Sequence, residues 1–299
     1  QSLVPVLNPD NLVILESTSP VGTTERVVQL LVDGGVDIST IHIAYCPERI
    51  LPGSVLSELI ENDRIVGGLT SEATEAAARF YRSFVRGEII TTSARSAEMT
   101  KLVENSYRNV NIAFANELSM VCAAADIDVW EVIRLANRHP RVNILNPGPG
   151  VGGHCVAVDP LFIAYQSREE SKLIRAAHKR NAEKTAWVID RIKQAAFEFT
   201  KKNNRFPIIA CFGITYKPDV DDIRESPSLH IVQELIRDEY HIHVVEPFAK
   251  QIEGLHYIDL STAVATADIS VILVAHSQFK GIQPLEATVY MDFCGLKKP

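Results

Sequence analysis

The sequence predicts an α/β protein with part of a doubly wound sheet at its N-terminal end, long helices in the middle and a second doubly wound α/β domain at its C-terminal end. Short apolar runs alternate with helical patterns at both ends, which is how parallel sheets are wound. Between them, residues 93–125 and 171–202 carry apolar side chains at helical intervals with neither proline nor glycine. The expected segments are 1–92, 93–203 and 204–299.

Asn11 to Glu16 reads as a buried strand running into Ser17-Thr18-Ser19-Pro20-Val21-Gly22-Thr23-Thr24. Hydroxylated residues at a strand's carboxyl edge, ahead of a helix opening near Thr23 or Thr24, mark either a ligand-binding edge or a simple helix cap. Strands Ile41 to Tyr45 and Arg64 to Gly68 follow, then a helix from Ser71 to Arg86. The first βα unit of a doubly wound domain is not found ahead of them. On the long helix from Ser93, residues Lys101, Asn105 and Arg108 share one stripe, a pattern that amphipathic helices usually present to solvent.

A shorter helix, Val129 to Asn137, leads to Gly148-Pro149-Gly150-Val151-Gly152-Gly153-His154-Cys155-Val156-Ala157-Val158-Asp159-Pro160. Gly148, Gly150 and Gly153 satisfy G-x-G-x-x-G, but no strand pattern precedes them, so the stretch is not read as a dinucleotide fingerprint. Cys155 is read in two ways: a small hydrophobe, or a nucleophile displayed by a glycine-rich loop beside His154 and Asp159.

The C-terminal segment opens with the strand Ile208 to Gly213. Ser226 as N-cap and Pro227 at the first helical position begin a helix to Arg237. Strand Ile242 to Glu246, a helix near Ser261 to Thr266, and strands Ile269 to Ala275 and Val289 to Asp292 complete the domain. Lys217 and Arg224 flank the helix start, where phosphate would sit.

Bulk properties narrow the function. The 299 residues are 46% hydrophobic and 22% charged, with net charge −7, which speaks against a nucleic-acid or membrane surface. The N-terminus shows no secretory signal, and a cytoplasmic location is expected. Five scattered cysteines with no C-x-x-C or His-x-x-x-His spacing predict free thiols and no metal.

Five segments together resemble the UDP-glucose/GDP-mannose dehydrogenase family: ESTSPVGTTE (16–25), CPERILPG (46–53), KLVENSYRNVNIAFANELS (101–119), NRHPRVNILNPGPGVGGHCVAVDP (137–160) and YKPDVDDIRESP (216–227). The likeness covers nearly the whole chain in the family's order. It implies a four-electron oxidation of a nucleotide sugar at C6 with NAD as cofactor, through a cysteine thiohemiacetal and thioester, by a homodimer. It assigns Cys155 as nucleophile, Lys101 and Asn105 to the reacting oxygen, Asp159 and Thr18 to the hydrolytic water, and Glu48 to proton transfer. Substrate contacts implied are Arg49, Ile50, Arg108, Gly152, Tyr216 and Lys217, with His139 and Arg141 reaching a neighbouring subunit. Thr18 and Arg224 would touch NAD.

Within the family, Pro52 and Val158 stand where UDP-glucose enzymes carry a glutamate and a lysine, so the resemblance implies UDP-N-acetyl-D-mannosamine as substrate. UDP-N-acetylglucosamine, UDP-glucose or a non-catalytic UDP-sugar-binding fragment are the alternatives. Two departures stand out. Cys294 occupies a position where the family has lysine or arginine, and the chain is expected to lack most of the NAD-binding domain and to bind NAD weakly.

Overall fold

The computed structural model describes residues 3–50, 55–283 and 285–296; the sequence readings at Leu51, Pro52 and Gly53 lie outside the described residues. The chain forms two compact units, one of residues 1–105 and 161–168, the other of residues 106–160 and 169–299.

In the first unit, β1 (Leu12–Leu15), β2 (His42–Tyr45), β3 (Arg64–Gly68) and β4 (Ile89–Ser93) form one sheet in that order. The β1/β2 and β3/β4 pairs are parallel and β2/β3 is antiparallel. The predicted α/β class holds, with one antiparallel step in the sheet. Helices α1 (Thr23–Asp33), α2 (Val55–Glu61) and α3 (Ser71–Arg82) accompany it. Ala77 and Tyr81 of α3 pack on Ala44 and Val66 of the sheet. The third helix stops four residues before the expected Arg86, and β4 follows, its β-branched Ile89-Ile90-Thr91-Thr92 pairing along β3.

The chain passes from one unit to the other within α4 (Ala94–Ala124) and again within α6 (His154–Gln166), with α5 (Val129–Ala136) between them. The second unit also holds α7 (Lys172–Asn203) and a fully parallel sheet of β5 (Ile208–Phe212), β6 (His241–Val245), β7 (Ile269–Ile272) and β8 (Val289–Asp292), in the order β6-β5-β7-β8. Helix α8 (Pro227–Arg237) connects β5 to β6, and α9 (Leu260–Thr266) leads back to β7. Ser226 caps α8 as expected, its hydroxyl accepting from the Leu229 amide at 3.2 Å. Ile192 and Ala196 of α7 pack with Ile209, Ile231 and Val271 in the main core. No described helix is long and apolar enough to cross a membrane.

That core stands beside a buried cation. Lys184 is 2% exposed; its Nζ donates to Ser119 Oγ at 2.8 Å and lies 3.8 Å from the centre of the Trp187 ring. Burial pulls its pKa down to about 7. The folded protein therefore binds fewer protons than the unfolded chain between pH 7 and the ordinary lysine value, so stability rises with pH across that window. Below it, the cost of a buried charge is present in full. Lys184→Met is accordingly expected to be more stable than the wild type at pH 6. Its advantage should shrink above pH 7 by up to about 1.4 kcal/mol per pH unit, read by urea unfolding at several pH values. A pH-independent difference would count against this.

Candidate active site

The glycine-rich loop is held by amide side chains from two long helices. Asn116 of α4 accepts from the Gly148 amide at 2.9 Å and donates to Asn181 of α7 at 2.9 Å; Thr185 of α7 donates to the Pro149 carbonyl at 2.9 Å. The loop ends sooner than the sequence predicts. A helix opens at His154 and carries Pro160 inside it. A proline there cannot donate to the carbonyl four residues back, and the orphaned Val156 carbonyl is met instead by Asn109 Nδ2 at 3.0 Å. Cys155 thus stands in the first turn of a helix, exposed, while Cys46, Cys122 and Cys211 are buried. A helix start favours negative charge. The thiol is not filling a core, which removes the small-hydrophobe reading.

The loop rests on the strand-to-helix segment after β5. A methyl group on Gly152 would lie 2.6 Å from the Glu225 carbonyl oxygen and 2.8 Å from Tyr216 Cβ; on Gly153, whose φ is +77°, it would meet the Tyr216 ring. The Gly153 amide donates to the Arg224 carbonyl at 3.1 Å. Arg224 itself is turned to Asp222, Nε to Oδ1 at 2.9 Å and Nη2 to Oδ2 at 2.6 Å. That pairing, ahead of other causes, holds the Asp222 carboxyl at about 2, with His154 adding a smaller charge effect. Arg224 is held charged chiefly by Asp222 and slightly by Cys155. At the helix start where phosphate was expected, the Arg224 guanidinium pairs with the Asp222 carboxylate while remaining exposed, and Ser226 caps the helix.

A cleft of about 610 Å³ opens at the carboxyl edge of the second sheet, lined by residues 146–150, Tyr216, Lys217, Pro227 and Ser228, and by residues following β7 and β8. The connection from β5 runs to β6 on one side and the chain returns to β7 on the other, so the cleft sits at the switch point where open parallel sheets bind ligands. Lys217 and Lys280 supply its cations, and Cys294 stands on its wall, its Sγ 3.7 Å from the Ile272 carbonyl. Beneath it, the turn carrying Tyr216 and Lys217 is fastened by a buried pair. His276 Nδ1 accepts from the Asp219 amide at 2.9 Å, which leaves Nε2 facing Glu246 Oε2 at 3.3 Å. Burial opposes Glu246's charge, but hydrogen bonds from His276 and from the Ile214 and Phe248 amides hold its carboxyl below the usual value.

In the first unit, Thr18 is half-buried after β1, and Lys101 and Asn105 lie one turn apart on α4. Asn105 is only 8% exposed, so the stripe it shares with Lys101 and Arg108 is not a plain solvated face: Lys101 is half-buried and only Arg108 is exposed. Glu48 accepts from the Ile50 amide at 2.6 Å, and Arg49 pairs with Glu104 at 2.8 Å. The start of α1 is capped by neither threonine side chain. Gly22 turns left-handed (φ +93°), and the buried Glu98 carboxylate of α4 accepts from the Gly22 amide, the Thr24 amide and the Thr24 hydroxyl at 2.6, 2.8 and 2.7 Å. In the second unit Asp159 is buried on α6, whereas His139 and Arg141 are exposed beyond α5 and are not brought to the cleft. Sequence reading missed Lys280, and it missed Glu98 and the His276–Glu246 pair, whose partners lie 30 to 76 residues away in the chain.

Three family models match the chain: the NAD binding domain of the UDP-glucose/GDP-mannose dehydrogenase family over residues 1–85, its central domain over 95–183 and its UDP binding domain over 210–297. The expectation that most of the NAD-binding domain is lacking is therefore not borne out; the model matches from residue 1, and β1 to β4 build a sheet with its own core. The chain is 51% identical over 302 residues to UDP-N-acetyl-D-mannosamine dehydrogenase of Escherichia coli (strain K12), covering 94% of this chain and 71% of that protein. It is 49% identical over 312 residues to NDP-N-acetyl-D-galactosaminuronic acid dehydrogenase of Ralstonia nicotianae, covering 99% and 73%. Among solved structures, a UDP-D-ManNAc dehydrogenase from Pyrococcus horikoshii superimposes with a TM-score of 0.89 at 38% identity, over 100% of this chain and 72% of that one.

Because a Cβ on Gly152 would meet the Glu225 carbonyl oxygen, Tyr216 Cβ and, at 2.9 Å, Pro227 Cδ, atoms held close to the backbone with little freedom to move, Gly152→Ala should cost about 1–3 kcal/mol, read as a lowered urea midpoint. A variant as stable as the wild type would mean that the loop does not rest on Tyr216 and Pro227 as described.

Proposed function

Because this chain belongs to the UDP-glucose/GDP-mannose dehydrogenase family, NAD-dependent dehydrogenases of nucleotide sugars, we propose that it oxidises the C6 alcohol of UDP-N-acetyl-D-mannosamine to the carboxylate. The observation that carries this reading is the contact of Tyr216, on the wall of the nucleotide-sized cleft, with the glycines that lead into Cys155. The family matches and the mannosamine-enzyme relatives support it.

NAD, when bound, takes up a hydride in each of two successive oxidations of C6. The chain offers it the hydroxyl-bearing loop after β1 rather than a free helix start, since the Gly22 and Thr24 amides are already bonded to Glu98. Thr18 and Arg224 would hold it. After the first oxidation the Cys155 sulfur adds to the C6 aldehyde, giving a thiohemiacetal, and its proton passes to a base, a role for Glu48. The second oxidation leaves a thioester. Water, placed by Asp159 and Thr18, adds to its carbonyl; the C–S bond breaks, the carboxylate departs and the thiol is restored. Negative charge on oxygen at each tetrahedral stage is the task of Lys101 and Asn105. Arg49, Ile50, Arg108, Gly152, Tyr216 and Lys217 hold the UDP-sugar.

Assaying UDP-N-acetyl-D-mannosamine beside its N-acetylglucosamine, N-acetylgalactosamine and glucose counterparts, with NADH counted per sugar, tests the substrate. Two NADH per sugar and a preference for the mannosamine are expected; one NADH, or preference for glucose, would overturn it. In Cys155→Ser, an oxygen ester replaces the thioester and resists water. Steady NADH production should fall about 10³-fold or more while a sugar adduct accumulates on the protein by intact mass. A normal rate with no adduct would remove Cys155 from the mechanism.

The assembly we propose is a homodimer through the central helices. Tyr107, Phe114 and Val121 recur every seven residues along α4 and remain exposed, Phe114 by 57%, an apolar stripe of the kind that a second helix covers. Phe114→Glu should shift the light-scattering mass from dimer toward monomer; an unchanged dimer would place the interface elsewhere.

A further inference from the structure

The first three residues of β6 read His241-Ile242-His243, and alternation along a strand puts both histidines on one face. β6 is the edge of its sheet. The segment returning after it brings a third ring: Val244 donates to the His256 carbonyl at 2.8 Å, and Ile258 donates to the Val244 carbonyl at 3.0 Å. Ring centres are 4.9 Å apart for His241 and His243 and 4.6 Å for His243 and His256, and one nitrogen from each ring lies within 4.8 Å of the other two. His243 is 9% exposed, and its buried Nδ1 has no hydrogen-bond partner. A buried ring nitrogen left unpaired costs stability unless something occupies it.

We propose that His241, His243 and His256 form a binding site for a divalent transition-metal ion, held by three imidazoles with its remaining positions open to water. Three neutral imidazoles suit zinc, cobalt, nickel or copper rather than magnesium or calcium, which prefer oxygen. The spacing of the rings is close enough for small side-chain rotations to bring the nitrogens onto one ion. His241 begins β6, at the amino end of a parallel strand, whereas the substrate cleft gathers residues beyond the carboxyl ends of β5, β7 and β8. The site therefore takes no part in C6 chemistry. Its effect is structural: an ion there would tie the 246–256 segment to the sheet edge. Glu246, which begins that segment, bonds the Ile214 amide and His276 below the Tyr216 turn. The sequence reading expected no metal because it sought C-x-x-C and His-x-x-x-His; a His-x-His strand completed by a third ring thirteen residues on is a different signature.

Tag-free, chelator-stripped protein titrated with Co2+ tests this. One Co2+ per chain should bind with visible d–d absorption, be displaced by Zn2+, and raise the melting temperature. His241 and His256 are exposed, so His241→Ala and His256→Ala should fold normally, with unchanged metal-free melting temperature, while each weakens Co2+ binding about tenfold or more. No saturable binding up to about 1 mM, or affinity unchanged in both variants, overturns the proposal.

Discussion

The site depends on how three buried asparagines and a threonine spend their hydrogen bonds. Asn116 and Asn181 bond to each other; Asn116 also takes the amide of Gly148, Asn181 Nδ2 donates to the Asn109 carbonyl, and Asn109 repairs the carbonyl that Pro160 leaves open. Thr185 holds the Pro149 carbonyl. Buried amides cost little only when partnered; of these side chains only Asn109 Oδ1 is buried without a partner, and the remaining bonds hold the loop to its course. The helix that presents Cys155 begins where that course ends.

The second sheet contributes a different constraint. Its parallel order leaves a crevice between β5 and β7, and the chain must turn sharply after β5 to line it. Gly213, at φ +87° and with Val274 Cβ only 2.4 Å from where a side chain would begin, permits that turn. The buried His276 and Glu246 then fix it, each satisfied on more than one side. Polar groups this deep stabilise a particular geometry, and here the geometry is the placement of Tyr216 and Lys217.

Much of this was legible in the chain. Ser226-Pro227 marked the start of α8 because capping is a local property, and the apolar runs marked β2, β3 and β5 because burial on both faces leaves a plain signature; β1, read as buried, is a strand whose residues are only half-buried. Cys155 stood out through its neighbours. What escaped was non-local or counter to local rules. A helix starting at His154 contradicts the proline inside it until Asn109, 47 residues from the Val156 carbonyl it meets, is placed. Glu98 looks like one more acidic residue on an amphipathic helix; nothing near it in sequence says that it caps α1. The burial of Asn105 depends likewise on what packs against α4, which periodicity cannot supply.

The ring of Tyr216 touches the loop that ends at Cys155 and also forms part of the cleft wall. A Cβ at Gly153 would come within 3.0 to 3.3 Å of that ring, so a displacement of the ring toward the loop presses on the Gly153 backbone. By reciprocity, a shift of Gly153 that moves the ring acts back on the cleft with the same free energy. Under the proposed function, nucleotide affinity and thiol reactivity would be coupled through this single aromatic side chain.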